Sequence, residues 1–317
     1  MLERWETDLR VFVALPVYNE EQLVADCLDA LDIVTLPEGC DWGTWFIIND
    51  LSVDESVEVV LRWSDQHPRR HVVVLNQSRR SGKTAALELA RHTFMESSER
   101  LDALLCVDAD ICVKGDSIYK LMSPYQEDVE IVGTVGSSLP IPGDRGGLAS
   151  KFQMLLIHEL DRTGPADVMR SHGRLYSIRP HLMPGFSWHE VLIADDLQVS
   201  YYVARSGLSA RSVPDAISFA IPCKNFRDFH GQTSRGRRAL VAARELWGDV
   251  GVANYARMNF HAMIRRALGS AKVAIMHPAG AICFVTFWLS SLVVSRFLHA
   301  DSLTVWRPAN SSKRRTT

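Results

Sequence analysis

Leu104-Leu105-Cys106-Val107 runs directly into Asp108-Ala109-Asp110. An apolar run of this length, bounded by polar residues, reads as a strand buried on both faces. Such strands belong to parallel sheets covered by helices. The acids end the strand and leave two carboxylates, two positions apart, just beyond it. Paired hard oxygen ligands suit Mg²⁺ or Mn²⁺, ions that commonly share their shell with substrate phosphates. A DxD is frequent by chance, so its weight comes from the strand before it and from its neighbours in the chain.

Working outward toward the N-terminus, the same grammar repeats. Apolar runs at 11–15, 45–48 and 71–75 read as further strands, with the fourth spanning 101–107. Helical apolar spacing falls between them at 20–31, 56–63 and 83–95. This β-α-β-α order predicts a single α/β/α domain with a mostly parallel central sheet. Polar clusters follow each strand: Pro16-Val17-Tyr18-Asn19-Glu20-Glu21, Asn49-Asp50-Leu51-Ser52-Val53-Asp54, then Asn76 with Gly82-Lys83. Asn, Asp and Ser are ordinary turn and cap residues. Several such clusters on the edge where open sheets bind ligands nevertheless point to a site. Ser81-Gly82-Lys83-Thr84 is not a P-loop, because Gln77 stands where the first glycine of GxxxxGK[ST] is required.

Toward the C-terminus the pattern loosens. Residues 143–147 read as a glycine-rich loop, and helices are expected at 152–160 and 192–204. The second of these carries Asp195-Asp196 near its start. Adjacent carboxylates repel, so they call for solvent, a cation or a shared proton. A helix N-terminus alone suits them, and a general base for a hydroxyl is the functional alternative. Gln232, Arg235, Arg237 and Arg238 form a cationic patch fit for phosphate or for anionic lipid. His158, His172 and His189 read as ordinary histidines.

Residues 239–271 mix basic and apolar positions at helical spacing. Residues 273–294 then run for 22 residues without a charged group. At 1.5 Å per residue that length spans a hydrocarbon core of about 30 Å. A membrane-embedded segment is therefore expected, spanning or re-entrant. Basic residues flank both sides, including Lys313-Arg314-Arg315, so charge does not orient it.

Composition agrees. The chain has 317 residues, 47% hydrophobic and 23% charged, with a net charge of −2. That excludes wholesale disorder and a dedicated nucleic-acid binder. Its mean hydropathy of −0.02 excludes a polytopic membrane protein. The six cysteines are too scattered for a disulfide scaffold or a zinc site and read as reduced core thiols. The charged start of the chain shows no apolar stretch of a cleavable signal.

Taken in order, these clusters resemble the family 2 inverting glycosyltransferases with the GT-A fold, over roughly residues 11–238. The resemblance implies a catalytic domain at 1–238, amphipathic juxtamembrane helices at 239–272, a membrane segment at 273–295 and a basic tail at 296–317. It implies a nucleotide-diphosphate sugar donor, a glycan or lipid-linked acceptor, membrane lipid as a partner, and room for membrane partner subunits. Pro16, Tyr18 and Glu20 would surround the base and ribose, and Asp50 would bond the base. Lys83 would lie near the nucleotide. Asp108 and Asp110 would hold the donor sugar and a Mg²⁺ or Mn²⁺ ion. Asp195 would contact the donor and Asp196 would be the base. Gln232 and Arg235 match the start of QxxRW, and the segment 172–179 resembles one lining the donor and acceptor sugars. Cytosolic donors would place the enzyme on the cytoplasmic membrane with its catalytic domain facing the cytoplasm.

Three positions depart from the family pattern. Asn49 replaces the first acid of a usual pair, Leu51 stands where Gly is common, and Gly236 replaces the Trp of QxxRW. The last removes the support that motif would lend to processive elongation. Other readings are single-sugar transfer to a polyprenyl phosphate, a catalytically silent membrane assembly subunit, and a nucleotidyltransferase. Intact acids speak against silence. Pro16-Val17-Tyr18-Asn19 occupies the place where nucleotidyltransferases usually carry a Gly-rich basic loop.

Overall fold

Alternation along the first strand sets the architecture. A computed structural model describes residues 9–98, 102–144, 147–164, 174–190, 194–248 and 260–297. In β1 (Leu9–Val17), Val11, Val13 and Leu15 face one layer while Phe12 and Ala14 face the other. The first layer is closed by α1 (Val24–Asp32), α2 (Ser56–Gln66) and α4 (Ser117–Glu127), through Cys27, Leu28, Val60, Trp63 and Leu121. The second is closed by α3 (Lys83–Ser97) and α6 (Asp195–Ser206), through Ala86, Leu87, Phe94, Val199 and Val203. The α/β/α sandwich expected from the sequence is therefore present.

The sheet runs β3-β2-β1-β4-β7-β6-β8-β5. β2 (Cys40–Asn49) and β4 (Ala103–Val107) flank β1, and β3 (Val72–Asn76) lies beside β2, all parallel. The four loops that follow these strands thus open on one edge. Beyond β4 the sheet becomes mixed. β7 (Leu175–Ile178) is antiparallel to both β4 and β6 (Ile131–Pro140). β8 (Ser209–Ala220) is parallel to β6 and antiparallel to β5 (Ile111–Val113). These later strands were not expected from the sequence, because Ser, Gly and Ala interrupt their apolar patterns. Ser138 and Ser218 share a hydrogen bond of 2.7 Å there, and a Cβ at Gly136 would lie 2.5 Å from the Ala216 carbonyl oxygen.

The charge-free run at 273–294 is not one helix. α8 (Phe260–Met276) ends before His277, and α9 (Pro278–Phe297) starts at the proline. Proline lacks an N–H and disfavours helical geometry in the residue before it, so it begins a helix better than it continues one. The axes of 267–276 and 278–290 differ by 110°. Among the described residues no single helix is long and apolar enough to cross a membrane, although this bent pair is by length and composition. Both helices meet α5 (Leu148–Thr163), where a Cβ at Gly269 would lie 2.9 Å from the Glu159 side chain. Phe284 and Phe287 of α9 pack on Phe152 and Phe229 at ring separations of 5.5 to 6.0 Å. Phe229 belongs to α7 (Phe226–Trp247), which runs through position 238. The basic tail and the expected helical residues 251–259 lie outside the described residues, as do His172, Gly173 and residues 191–193. Four cysteines are buried and Cys283 half-buried, as expected of core thiols, but Cys112 is exposed on β5.

Candidate active site

The parallel strands deliver their acids to one place. Asp108 follows β4, and Asp195 and Asp196 open α6. Lys83, at the start of α3, bridges them: its Nζ lies 2.6 Å from Asp108 Oδ1 and 3.1 Å from Asp195 Oδ1. Burial works against the Lys83 ammonium, but Asp108 and Asp195 outweigh it and raise its pKa above the ordinary lysine value. Burial also pushes Asp108 up, to about 6, with Lys83 opposing and Asp110 and Asp195 adding to the rise. Several carboxylates thus share few cations, and an added cation is favoured there.

Asp195 and Asp196 have different surroundings. Asp195 is buried, receives a hydrogen bond from Tyr176 Oη at 2.7 Å, and gives its carbonyl to Trp188 Nε1 at 3.1 Å. Asp196 is half-buried and its charge adds to those around Lys83. The first is a fixed anchor, and the second is the more exposed of the two.

Arg174 completes this face. β7 runs antiparallel to β4, so the residue just before β7 returns to the edge where β4 ends. Asp108 N–H donates to the Arg174 carbonyl at 3.0 Å, and Arg174 Nη1 reaches Asp110 Oδ1 at 3.5 Å. Burial opposes the Arg174 charge, but Asp110 and Asp108 outweigh it. Gln232 Oε1 accepts from Cys223 Sγ at 3.3 Å. Burial, together with the charges of Arg174 and Arg238, lowers the pKa of Arg235. Gln232 and Arg235 thus belong to this cationic side of the site. The side chain of Arg237 lies outside the described residues. Nothing lies within 4 Å of a Cβ at Gly236, so the missing Trp is not a matter of crowding.

The loops after β1 and β2 form the neighbouring part of the edge. Asn19 Oδ1 accepts from Val53 N–H at 2.9 Å, and Ser52 Oγ accepts from Asn19 N–H at 3.2 Å. Asn49 accepts from Ser52 N–H and donates to Asn76, so the Asn that replaces an acid ties the loop after β2 to the end of β3. Leu51 sits at φ 57°, the left-handed region that explains why glycine suits this position. Asp50 is buried and accepts from the N–H groups of Ser81 (2.8 Å) and Gly82 (3.0 Å). Burial raises its pKa despite those bonds. Arg80 lies over the Tyr18 ring, 3.6 Å from its centroid. Glu20 is buried, with its N–H on Ser56 Oγ at 2.7 Å. Pro16 pairs with Ile48 inside the sheet. Thus Lys83, Asp108, Asp110, Asp195 and Asp196 converge, while Tyr18, Glu20 and Asp50 line the adjoining loops.

Among the described residues no three His, Cys, Asp or Glu side chains form a closed metal cage. The donor set still fits Mg²⁺ or Mn²⁺: two hard carboxylates, with the remaining positions left for water and phosphate, is how such ions are commonly held. Arg174 and Tyr176 were legible in the sequence only as part of the segment 172–179 likened to one lining the sugars, with no role of their own, and Arg80 and Trp188 were not singled out. The first two depend on the direction of β7, which no local pattern reveals.

Residues 12–167 match the family model described as glycosyl transferase family 2. A poly(ribitol-phosphate) beta-glucosyltransferase of Bacillus spizizenii is 24% identical over 235 residues, covering 65% of this chain and 34% of that protein. An undecaprenyl-phosphate 4-deoxy-4-formamido-L-arabinose transferase of Salmonella newport is 27% identical over 126 residues, covering 40% of this chain and 36% of that protein. The chain therefore spans about a third of the length of these curated relatives. The solved mannosyltransferase PcManGT from Pyrobaculum calidifontis, in complex with GDP-Man and Mn²⁺, superposes with a TM-score of 0.56 at 18% identity, covering 90% of this chain and 86% of that one. At that identity the likeness concerns the fold.

Proposed function

The chain belongs to glycosyl transferase family 2 through residues 12–167, and on that premise we propose that it moves a sugar from a nucleoside-diphosphate donor to a hydroxyl of a glycan or lipid-linked acceptor, with inversion. The observation that carries this reading is the Lys83 bridge between the acids after β4 and the acids that open α6. It places charge for a leaving diphosphate beside a carboxylate for the incoming hydroxyl.

Asp196 takes the proton of the acceptor hydroxyl. The freed oxygen forms a bond to the anomeric carbon from the face opposite the diphosphate. The bond from that carbon to the diphosphate oxygen breaks, and its electron pair leaves with the nucleoside diphosphate. Asp195, fixed by Tyr176 and Lys83, holds the start of α6 so that Asp196 meets the hydroxyl. Lys83 and Arg174 face the departing charge, with Arg235 behind them. Asp108 and Asp110 would hold Mg²⁺ or Mn²⁺, which supplies Lewis-acid neutralisation of the diphosphate. Tyr18, Glu20, Asp50 and Pro16 shape the nucleotide end.

The C-terminal helices give a reason for a lipid-linked acceptor. Ile275 is 79% exposed and Ile282 68%, with Leu268, Met276, Val285 and Leu289 also exposed. Exposed apolar residues so close together are typical of membrane contact. The bent pair therefore rests on the cytoplasmic membrane, with the catalytic domain on the side where the donors are. Single transfer to a polyprenyl phosphate fits the same arrangement.

Two experiments test this. The protein with Mn²⁺ and a panel of UDP- and GDP-sugars should release nucleoside diphosphate from at least one; no release from any would refute the transferase reading. In flotation with anionic vesicles the wild type should rise with lipid and the Ile275→Glu/Ile282→Glu variant should not. Equal flotation would remove the membrane role of these helices.

A further inference from the structure

Ser81-Gly82-Lys83-Thr84 ends like a phosphate-binding loop, yet its backbone is turned inward. The N–H groups of Ser81 and Gly82 meet the two oxygens of Asp50, Oδ1 at 2.8 Å and Oδ2 at 3.0 Å. Successive N–H groups converging on one anion form a concavity that elsewhere takes a phosphate. Here a carboxylate of the chain itself fills it. Gly82 permits the turn at φ 86°, in the left-handed region.

A third donor completes the tie. The Gln77 carboxamide, in the orientation that satisfies both its ends, donates to Asp50 Oδ1 at 2.6 Å and accepts from Ala86 N–H at 2.7 Å. Both oxygens of a carboxylate only 5% exposed are thus taken up within the protein. The tie joins the end of β2 and the residue after β3 to the first turn of α3. Lys83 is the first residue of that helix, directly after Gly82. Its Nζ stands 2.6 Å from Asp108 and 3.1 Å from Asp195. A lysine stem is long and flexible, so this bridge depends on where the helix start holds the Lys83 backbone.

We propose that Asp50 is a positioning residue: it fixes the start of α3 so that the Lys83 ammonium stands between Asp108 and Asp195, and it acts on the donor diphosphate through Lys83 rather than on the base. This rests on the transferase reading, which makes Lys83 a partner of the diphosphate. Asparagine at position 50 would keep the shape but turn an NH₂ toward one of the two backbone N–H groups. Donor would then meet donor, that N–H would lose its acceptor, and the turn at 81–82 would loosen. Lys83 would spend part of its time away from the acids.

The test uses the full chain with Mn²⁺. Inorganic pyrophosphate, which has no base, is titrated calorimetrically into wild type, Asp50→Asn, Lys83→Met and the double variant, beside UDP and GDP. Asp50→Asn should weaken all three ligands by the same factor, about tenfold. The double variant should bind them no more weakly than Lys83→Met alone, because residues that act as a unit do not add. Gln77→Met leaves the carboxylate in place and should show the same pattern at about threefold; it decides the matter if Asp50→Asn does not fold. Amide hydrogen exchange at Ser81 and Gly82 should quicken in Asp50→Asn and not in Lys83→Met. Weaker UDP or GDP binding with unchanged pyrophosphate binding overturns the proposal and makes Asp50 a base ligand. Additive losses in the double variant, unchanged exchange at Ser81 and Gly82, or no pyrophosphate binding by wild type overturn it as well. Donor hydrolysis by the wild type, followed in parallel, reports on the transferase reading: no hydrolysis of any donor, with the pyrophosphate coupling intact, refutes that reading alone.

Discussion

The two edges of the sheet handle buried charge in opposite ways. At the rear edge each buried acid has its own arginine. Asp32 is held by Arg69 and by Arg70 Nε at 2.6 Å, and Asp102 by Arg10 Nη2 at 2.8 Å. At the front edge Asp108, Asp110, Asp195 and Asp196 gather around Lys83 and Arg174. The direction of the pKa shifts follows. Asp32 is lowered, its two arginines outweighing burial, whereas Asp108 is raised to about 6. Rear pairing stabilises the fold, while front crowding prepares a site for cations and proton transfer at some cost in stability.

The largest expected effect breaks the front edge. Asp196→Asn should lower transfer by about a thousandfold while leaving nucleotide binding intact. Wild-type turnover would remove Asp196 as the base. At the rear, Asp32→Asn should cost about 2 kcal/mol of stability, read by urea denaturation, with kcat unchanged. A loss of activity without a loss of stability would erase the contrast between the edges.

Titration sharpens the same comparison. Metal ligation requires the ionised carboxylate, so metal-dependent donor affinity should fall as pH drops through about 6, the value for Asp108. The stability signs run in opposite directions. Because the folded state binds the Asp108 proton more tightly than the unfolded chain does, its contribution is present below about 4 and lost as pH rises through about 6. That of Asp32 is present above about 4 and lost as pH falls further. The stability difference between wild type and Asp108→Asn, and that between wild type and Asp32→Asn, followed by melting against pH, should show these opposite slopes. The smallest effect belongs to Leu51. Leu51→Gly relieves a left-handed side chain but adds backbone entropy to the unfolded state, so stability should change by less than about 1 kcal/mol. A larger loss would show that the Leu side chain holds the loop.

Much of the front edge was legible because its strands are buried on both faces. Runs such as Phe46-Ile47-Ile48 and Leu104-Leu105-Cys106 announce themselves, and the polar residues after them mark the ligand edge. Asp108, Asp110 and Lys83 were found in this way, Asp195 and Asp196 as an acidic pair opening an expected helix, and the structure brings them together. The far half of the sheet was not legible. β6 and β8 use Ser, Gly and Ala where backbones approach closely, and α4 contains Pro124, which reads as a helix breaker. Arg174 and Tyr176 reach the site only because β7 runs antiparallel to β4. The sequence length of 273–294 suggested one membrane segment, and His277-Pro278 turns it into a bent pair. The rear pairs escaped notice because partners 37 or more residues apart leave no local pattern.

A calorimetric titration tests the central claim most directly. The donor identified by hydrolysis is titrated into wild type and Asp108→Ala, each with Mn²⁺ and with EDTA. Wild type should bind the donor only with the metal present, and Asp108→Ala should lose at least about tenfold in affinity. Equal affinity in both proteins, independent of metal, would contradict a donor site built on the acids at this edge.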